Sequence, residues 1–195
     1  MTNKNTKINL KTSFLLLSLF ILMILTRGSH VTTIYSLPDA SLAIFLIGGI
    51  YLKKIRFFVL FFLLALFIDF GAAALDSTLG FCLTNGYWGL IPSYAALWIT
   101  GNFLSYRNLI QKLPSFMPIV SGAIVLSFLI STQTYYIFSG RFGSPSITKS
   151  ILHGWEYLPH YFLSTFAYIG LFWIIQHFII KNKILNYYKN FNLYK

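Results

Sequence analysis

Apolar residues fill six long runs, at about Ser13 to Thr26, Asp39 to Leu52, Phe57 to Leu75, Tyr87 to Ser105, Ser115 to Phe138 and Glu156 to Ile180. Within each run the apolar positions are nearly continuous. They lack the strict alternation over segments of about 10 residues that a transmembrane barrel requires, so the pattern predicts helices. A helix needs roughly 20 residues to cross the hydrocarbon of a bilayer, and the first two runs are short by that measure. Tilt or flanking residues are expected to complete them. The expectation is an all-α integral membrane protein: one domain over residues 1–195, built as a six-transmembrane-helix bundle, with 181–195 as an interfacial tail.

Composition agrees with that pattern. The 195 residues are 56% hydrophobic and 19% aromatic, and only 10% carry charge, which exceeds what a soluble core uses. The net charge of +11 does not point to nucleic acid, because the basic residues fall in short clusters between the apolar runs. With the first terminus inside, Lys4, Lys7, Lys11, Lys53, Lys54, Arg56, Arg107, Lys112, Lys181, Lys183, Lys189 and Lys195 are cytoplasmic. Of the 15 basic residues only Arg27, Arg141 and Lys149 then lie outside, so the positive-inside rule places both termini in the cytoplasm. Lys4, Lys7 and Lys11 ahead of Phe14 to Leu25 resemble a signal peptide, but Thr26-Arg27-Gly28-Ser29 offers no small-residue cleavage pattern. The segment is therefore read as a retained first helix. In the tail, Tyr187, Tyr188, Phe191 and Tyr194 interleave with lysines, as suits contact with anionic lipid.

This topology gathers the rare polar residues on one side. Asp39, Asp76, Glu156, His30, His153, Arg27 and Arg141 fall at the outer ends of spans, and Asp69 falls six residues inside the outer end of the third. At 1.5 Å per residue that is roughly 9 Å below Leu75. A carboxylate on a membrane helix costs about 2.5–3.5 kcal/mol at the bilayer centre, less near the interface, and normally faces a partner or a cavity. Asp69 is therefore a candidate functional or gating residue, the alternative being a packing hydrogen bond to Ser93 or Tyr94 of the next span.

Cys82, the only cysteine, lies in the short polar segment Asp76 to Gly86 and has no partner within the chain for a disulfide. Two readings stand: a small inert residue, or a soft ligand and nucleophile. Gly80 and Gly86 allow tight turns here, and Tyr87 and Trp88 open the fourth span, where aromatic anchoring at the interface accounts for Trp88. His153 and His160 are seven apart across Pro159, and no histidine or cysteine pair has ligand spacing on one helix face, so no separate metal site is expected. His177 is expected at the inner interface.

Several strings resemble the BtuM family of small bacterial cobalamin transporters, which are related to the substrate-binding S-components of energy-coupling-factor transporters. They are Leu25-Thr26-Arg27-Gly28-Ser29-His30, Leu37-Pro38-Asp39-Ala40-Ser41-Leu42-Ala43, Phe67-Ile68-Asp69, Phe81-Cys82-Leu83-Thr84-Asn85-Gly86-Tyr87, and Gly89-Leu90-Ile91-Pro92-Ser93-Tyr94-Ala95-Ala96-Leu97-Trp98. The resemblance covers residues 25 to 105 and is most specific around Cys82. It implies a six-helix bundle in the bacterial inner membrane, a cavity open to the exported side, and Cys82 as the axial ligand of the cobalt of cobalamin bound base-off. A thiolate is a soft donor suited to that place. The resemblance also implies removal of the cyano group from cyanocobalamin through that cysteine. Asp69 and Tyr87 match family positions near the site, and Arg141 is the arginine available after the fifth span. By the same resemblance Arg141 is expected to favour the thiolate or bind a propionamide or phosphate oxygen, Tyr87 to donate a hydrogen bond, Asp69 to pair with one of them or fix a helix, and His30, with Arg27 in the first outer loop, to line or cover the cavity.

In one respect the chain departs from that pattern. The first helix, Ser13 to Leu25, has no Ala-x-x-x-Ala patch of the kind that lets S-components dock on an energy-coupling module, so such a partner is not expected. No Gly-x-x-x-x-Gly-Lys loop is present for ATP hydrolysis, and no Gly-x-Ser-x-Gly for a serine nucleophile. The functions weighed are therefore cobalamin uptake, with cobalamin and lipid as partners, a membrane enzyme whose main task is decyanation, and an assembly subunit that binds no ligand.

Overall fold

The computed structural model describes residues 10–27, 37–143, 147–151 and 154–192, and every regular element among them is helical. In chain order these are α1 (Leu10–Arg27), α2 (Ser41–Tyr51), α3 (Ile55–Leu75), α4 (Leu90–Tyr106), α5 (Leu113–Phe138), the short α6 (Ile147–Ile151) and α7 (Leu158–Asn192). Tight 3-10 turns occupy Ser77–Cys82, Asn85–Gly89 and Trp155–Tyr157. Each of the six apolar runs contains one of the longer helices. Three segments, Ile55–Leu75, Leu113–Phe138 and Thr148–Ile175, are long and apolar enough to cross a membrane. Large apolar side chains also point outward: Phe67 is 76% exposed, and Leu63, Ile99 and Leu163 are exposed as well.

The boundaries differ from the sequence pattern where local chemistry intervenes. The fourth run opens as a 3-10 turn, because the Thr84 hydroxyl accepts from the Gly86 N–H and caps Asn85–Gly89, so α4 proper begins only at Leu90. Helical backbone runs on from the last apolar run through the segment read as an interfacial tail, as far as Asn192. The second run yields the largest departure. α2 has 11 residues, about 16 Å of helix at 1.5 Å per residue, against a hydrocarbon core of about 30 Å.

α2 instead forms the centre of the bundle. Its residues from Ser41 to Ile50 are all buried, as expected of a helix that is apolar on every side. It packs on α1, α3, α4 and α7. The approach to α4 is close because both helices carry glycine at the crossing. A Cβ on Gly49 would strike the Trp98 carbonyl oxygen, one on Gly101 would strike the Leu46 carbonyl oxygen, and one on Gly48 would lie 2.5 Å from the Trp98 ring. Around this crossing Phe45 stacks on Tyr94 with centroids 4.3 Å apart, and its edges meet Phe58, Phe61 and Trp98.

α2 and α4 both end in residues with left-handed backbone, Lys53 (φ 59°) and Asn108 (φ 53°), which stop the helix and return its last amides to earlier carbonyls. These reversals carry Lys53, Lys54, Arg107 and Lys112, with Arg56 in the first turn of α3. The contacts described next bring the end of α1, the start of α2, the upper part of α3 and the start of α4 together at the other end of the bundle. The basic turns therefore lie opposite the polar cluster.

Candidate functional site

Arg27, the last residue of α1, organises the polar cluster. Its Nε donates to Asp69 Oδ1 at 2.7 Å and its Nη2 to Asp69 Oδ2 at 2.6 Å, a bidentate fork on a carboxylate of α3. Its Nη1 donates to Ser41 Oγ at 2.8 Å, in the first turn of α2, and to Tyr94 Oη at 2.7 Å, in α4. Asp39 Oδ2 is 3.6 Å from the same nitrogen, while Asp39 Oδ1 accepts from the Ser41 N–H and hydroxyl. Tyr87, in the 3-10 turn before α4, donates its hydroxyl to Asp69 Oδ2 at 2.9 Å. Four helices and one turn are thus joined through a single guanidinium and a single carboxylate.

Burial ranks these contacts. The side chains of Arg27 and Asp69 are 10% and 19% exposed, whereas that of Asp39 is 52% exposed. The Arg27 to Asp69 pair is therefore the strong one, and the Asp39 contact is a longer, solvent-screened addition. Two further bonds tie the same end together: the Thr26 hydroxyl accepts from the Ala40 N–H at 3.4 Å, and Tyr168 of α7 donates to the Pro38 carbonyl at 2.7 Å. Ser93, the alternative packing partner for Asp69, bonds instead to Ser127 of α5.

Cys82 ends the 3-10 turn Ser77–Cys82, and its side chain lies outside the described part of the structure. The segment carrying it is anchored on both flanks. Before it, the turn folds back on α3, where a Cβ on Gly80 would stand 3.0 Å from Ala73 Cβ. After it, Gly86 and Gly89 lie against α5 so closely that added Cβ atoms would strike the Thr134 carbonyl and the Thr134 side chain. Leu83 donates its N–H to the Gly80 carbonyl at 2.9 Å, which closes the turn directly after the cysteine.

Asp76 opens this turn by accepting from the Thr78 hydroxyl at 2.7 Å and the Thr78 N–H at 2.8 Å. Those two bonds, the hydroxyl first, hold its carboxyl below the usual carboxylate range. Because the folded value is the depressed one, the support it gives the turn is complete above the ordinary carboxylate pKa of about 3.9 and is lost as pH falls through the lower folded value. Thr78→Val is expected to return Asp76 towards ordinary titration in a carbon-detected NMR series, and an unmoved titration would remove the hydroxyl as the cause.

The structure brings Asp69 and Tyr87 into contact, and Arg141 bonds to neither. Arg141 is exposed in the turn after α5, where Gly140 and Gly143 have φ values of +71° and +61°, and among the described residues its guanidinium makes no ion pair. Its backbone N–H donates to Ser139 Oγ at 3.3 Å, and the neighbouring Phe142 stacks on Tyr136. His30 and His153 lie outside the described residues, His160 is exposed on α7, and the His177 side chain is likewise outside the described part.

From the sequence Arg27 was expected with His30 in the first outer loop, lining or covering the cavity; the structure pairs it with Asp69 instead. The available signal was a lone arginine closing the first run on the same side as Asp39, Asp69 and Asp76, the acidic residues that topology placed at that end of the first three spans. Chemically, the cluster is a scaffold: both carboxylate oxygens of Asp69 and all three guanidinium nitrogens of Arg27 have partners within it. No family model matches the chain, and no curated protein matches it.

Proposed function

We propose that the chain is a cobalamin-binding uptake protein of the bacterial inner membrane, with six membrane segments, both termini cytoplasmic, and Cys82 ligating the cobalt of the substrate base-off. One observation carries the reading. The segment whose sequence most resembles the BtuM family, Phe81 to Tyr87, contains the only thiol and is fastened on both flanks, to α3 through Gly80 against Ala73 and to Asp69 through the Tyr87 hydroxyl. A soft ligand needs such a fixed place to select one axial position of a metal. The basic turns at the opposite end of the bundle support the orientation, since Lys53, Lys54, Arg56, Arg107 and Lys112 then face the cytoplasm.

In this reading α3, α5 and α7 cross the bilayer unaided, and α2 is covered by protein at the depth where its short helix leaves backbone uncovered. Arg141 then faces the exported side, where a propionamide or phosphate of the corrinoid would meet it. Lipid and cobalamin are the partners, and docking on an energy-coupling module is not part of the proposal.

Protein purified in detergent with cyanocobalamin tests the assignment. Wild type is expected to retain corrinoid with the shifted absorbance of a thiolate-ligated cobalt, and Cys82→Ser to lose that shift. Colourless, well-folded wild type, or an unchanged spectrum in Cys82→Ser, would overturn it. Cyanide released repeatedly per protein with a supplied reductant would replace uptake with decyanation as the main activity.

A further inference from the structure

We infer that Arg27 is the positioning residue of the Cys82 site, acting through Asp69 and Tyr87 and never touching the substrate itself. The inference rests on the cobalamin reading and adds to it a residue and a route. Arg27 makes four hydrogen bonds, two to Asp69 and one each to Ser41 and Tyr94, so its charge and most of its donors are committed within the protein. It is therefore not a free anchor for a substrate phosphate. Its effect passes on through Asp69, whose Oδ2 accepts both from Arg27 Nη2 and from the Tyr87 hydroxyl.

Tyr87 is buried and belongs to the 3-10 turn Asn85–Gly89, which starts three residues after Cys82. Gly86 and Gly89 press that turn on α5, so it has one fixed wall and one polar tether. The tether keeps its direction only while the fork holds both carboxylate oxygens in plane. A lysine at 27 would keep the charge but lose the fork, and one ammonium cannot span Asp69, Ser41 and Tyr94 together. Groups that orient a ligating residue in this way typically change metal affinity by about 10–100-fold when altered.

Cyanocobalamin binding and absorbance of Arg27→Lys and of the paired variant Arg27→Met with Asp69→Leu test this. Both are expected to bind cyanocobalamin about 10–100-fold more weakly, and any corrinoid they retain is expected to lack the thiolate-ligated band. The paired variant separates positioning from folding. It removes both charges, so the buried imbalance is gone, yet Tyr87 has lost its acceptor. Recovery of the wild-type spectrum in that variant, or unchanged binding in Arg27→Lys, overturns the inference while leaving the cobalamin reading intact. Wild type that binds no corrinoid overturns both.

Discussion

Replacing Asp69 by alanine is expected to lower stability by about 3–5 kcal/mol, the range for breaking a buried ion pair from one side. The size follows from what remains. Arg27, 10% exposed, would keep its bonds to Ser41 and Tyr94 but lose the only carboxylate in direct contact with it, since Asp39 stands 3.6 Å away and is half exposed. A surface pair would give about 0–1 kcal/mol, so the two regimes differ enough to be told apart. Thermal unfolding in detergent measures it, and a loss below about 1 kcal/mol would show that water reaches the cluster freely. Arg27→Met combined with Asp69→Leu is expected to be much closer to wild type than either single change, because neither partner is left charged and alone.

The second large effect is expected at the crossing of α2 and α4. Gly101→Val would drive a side chain into the Leu46 carbonyl and the Ile50 amide, and Gly49→Val into the backbone at Trp98. These obstacles are backbone, so no rotamer change relieves them. Overpacking of this kind costs about 1–3 kcal/mol where neighbours yield, and here the cost should lie at or above the top of that range. Gly122→Ala is the control, because an added Cβ there meets nothing within 4 Å and alanine is the better helix former. Reduced yield of folded protein for the first two, with Gly122→Ala at or above wild type, is the expected result. Equal yields for all three would mean that the helices separate without loss.

The helices were legible because apolar runs of this length leave few alternatives. All six runs contain helices, and α3 ends at Leu75 where its run does. What the runs concealed was depth. Asp39 to Leu52 reads like its neighbours, but Gly48 and Gly49 convert it into a segment enclosed by protein, and that depends on Gly101 and Trp98 far along the chain. The cluster was legible in half. A carboxylate inside a span demands a partner, and Tyr87 was one of the partners that the family resemblance implied for Asp69, but its pairing with Arg27 is a matter of which helix ends converge. Spacing along the sequence carries no record of that convergence.

The enclosure of α2 also bears on biogenesis. Its principal covering, α4, is synthesised only after all of α3 and the Cys82-bearing turn have been made. A helix of 11 residues cannot hold a stable place across a bilayer by itself, so in the proposed membrane setting α2 must wait beside α1 and α3 until α4 arrives. The step that seats Gly101 on Gly49 is then the one that encloses α2 and commits the chain to its final topology.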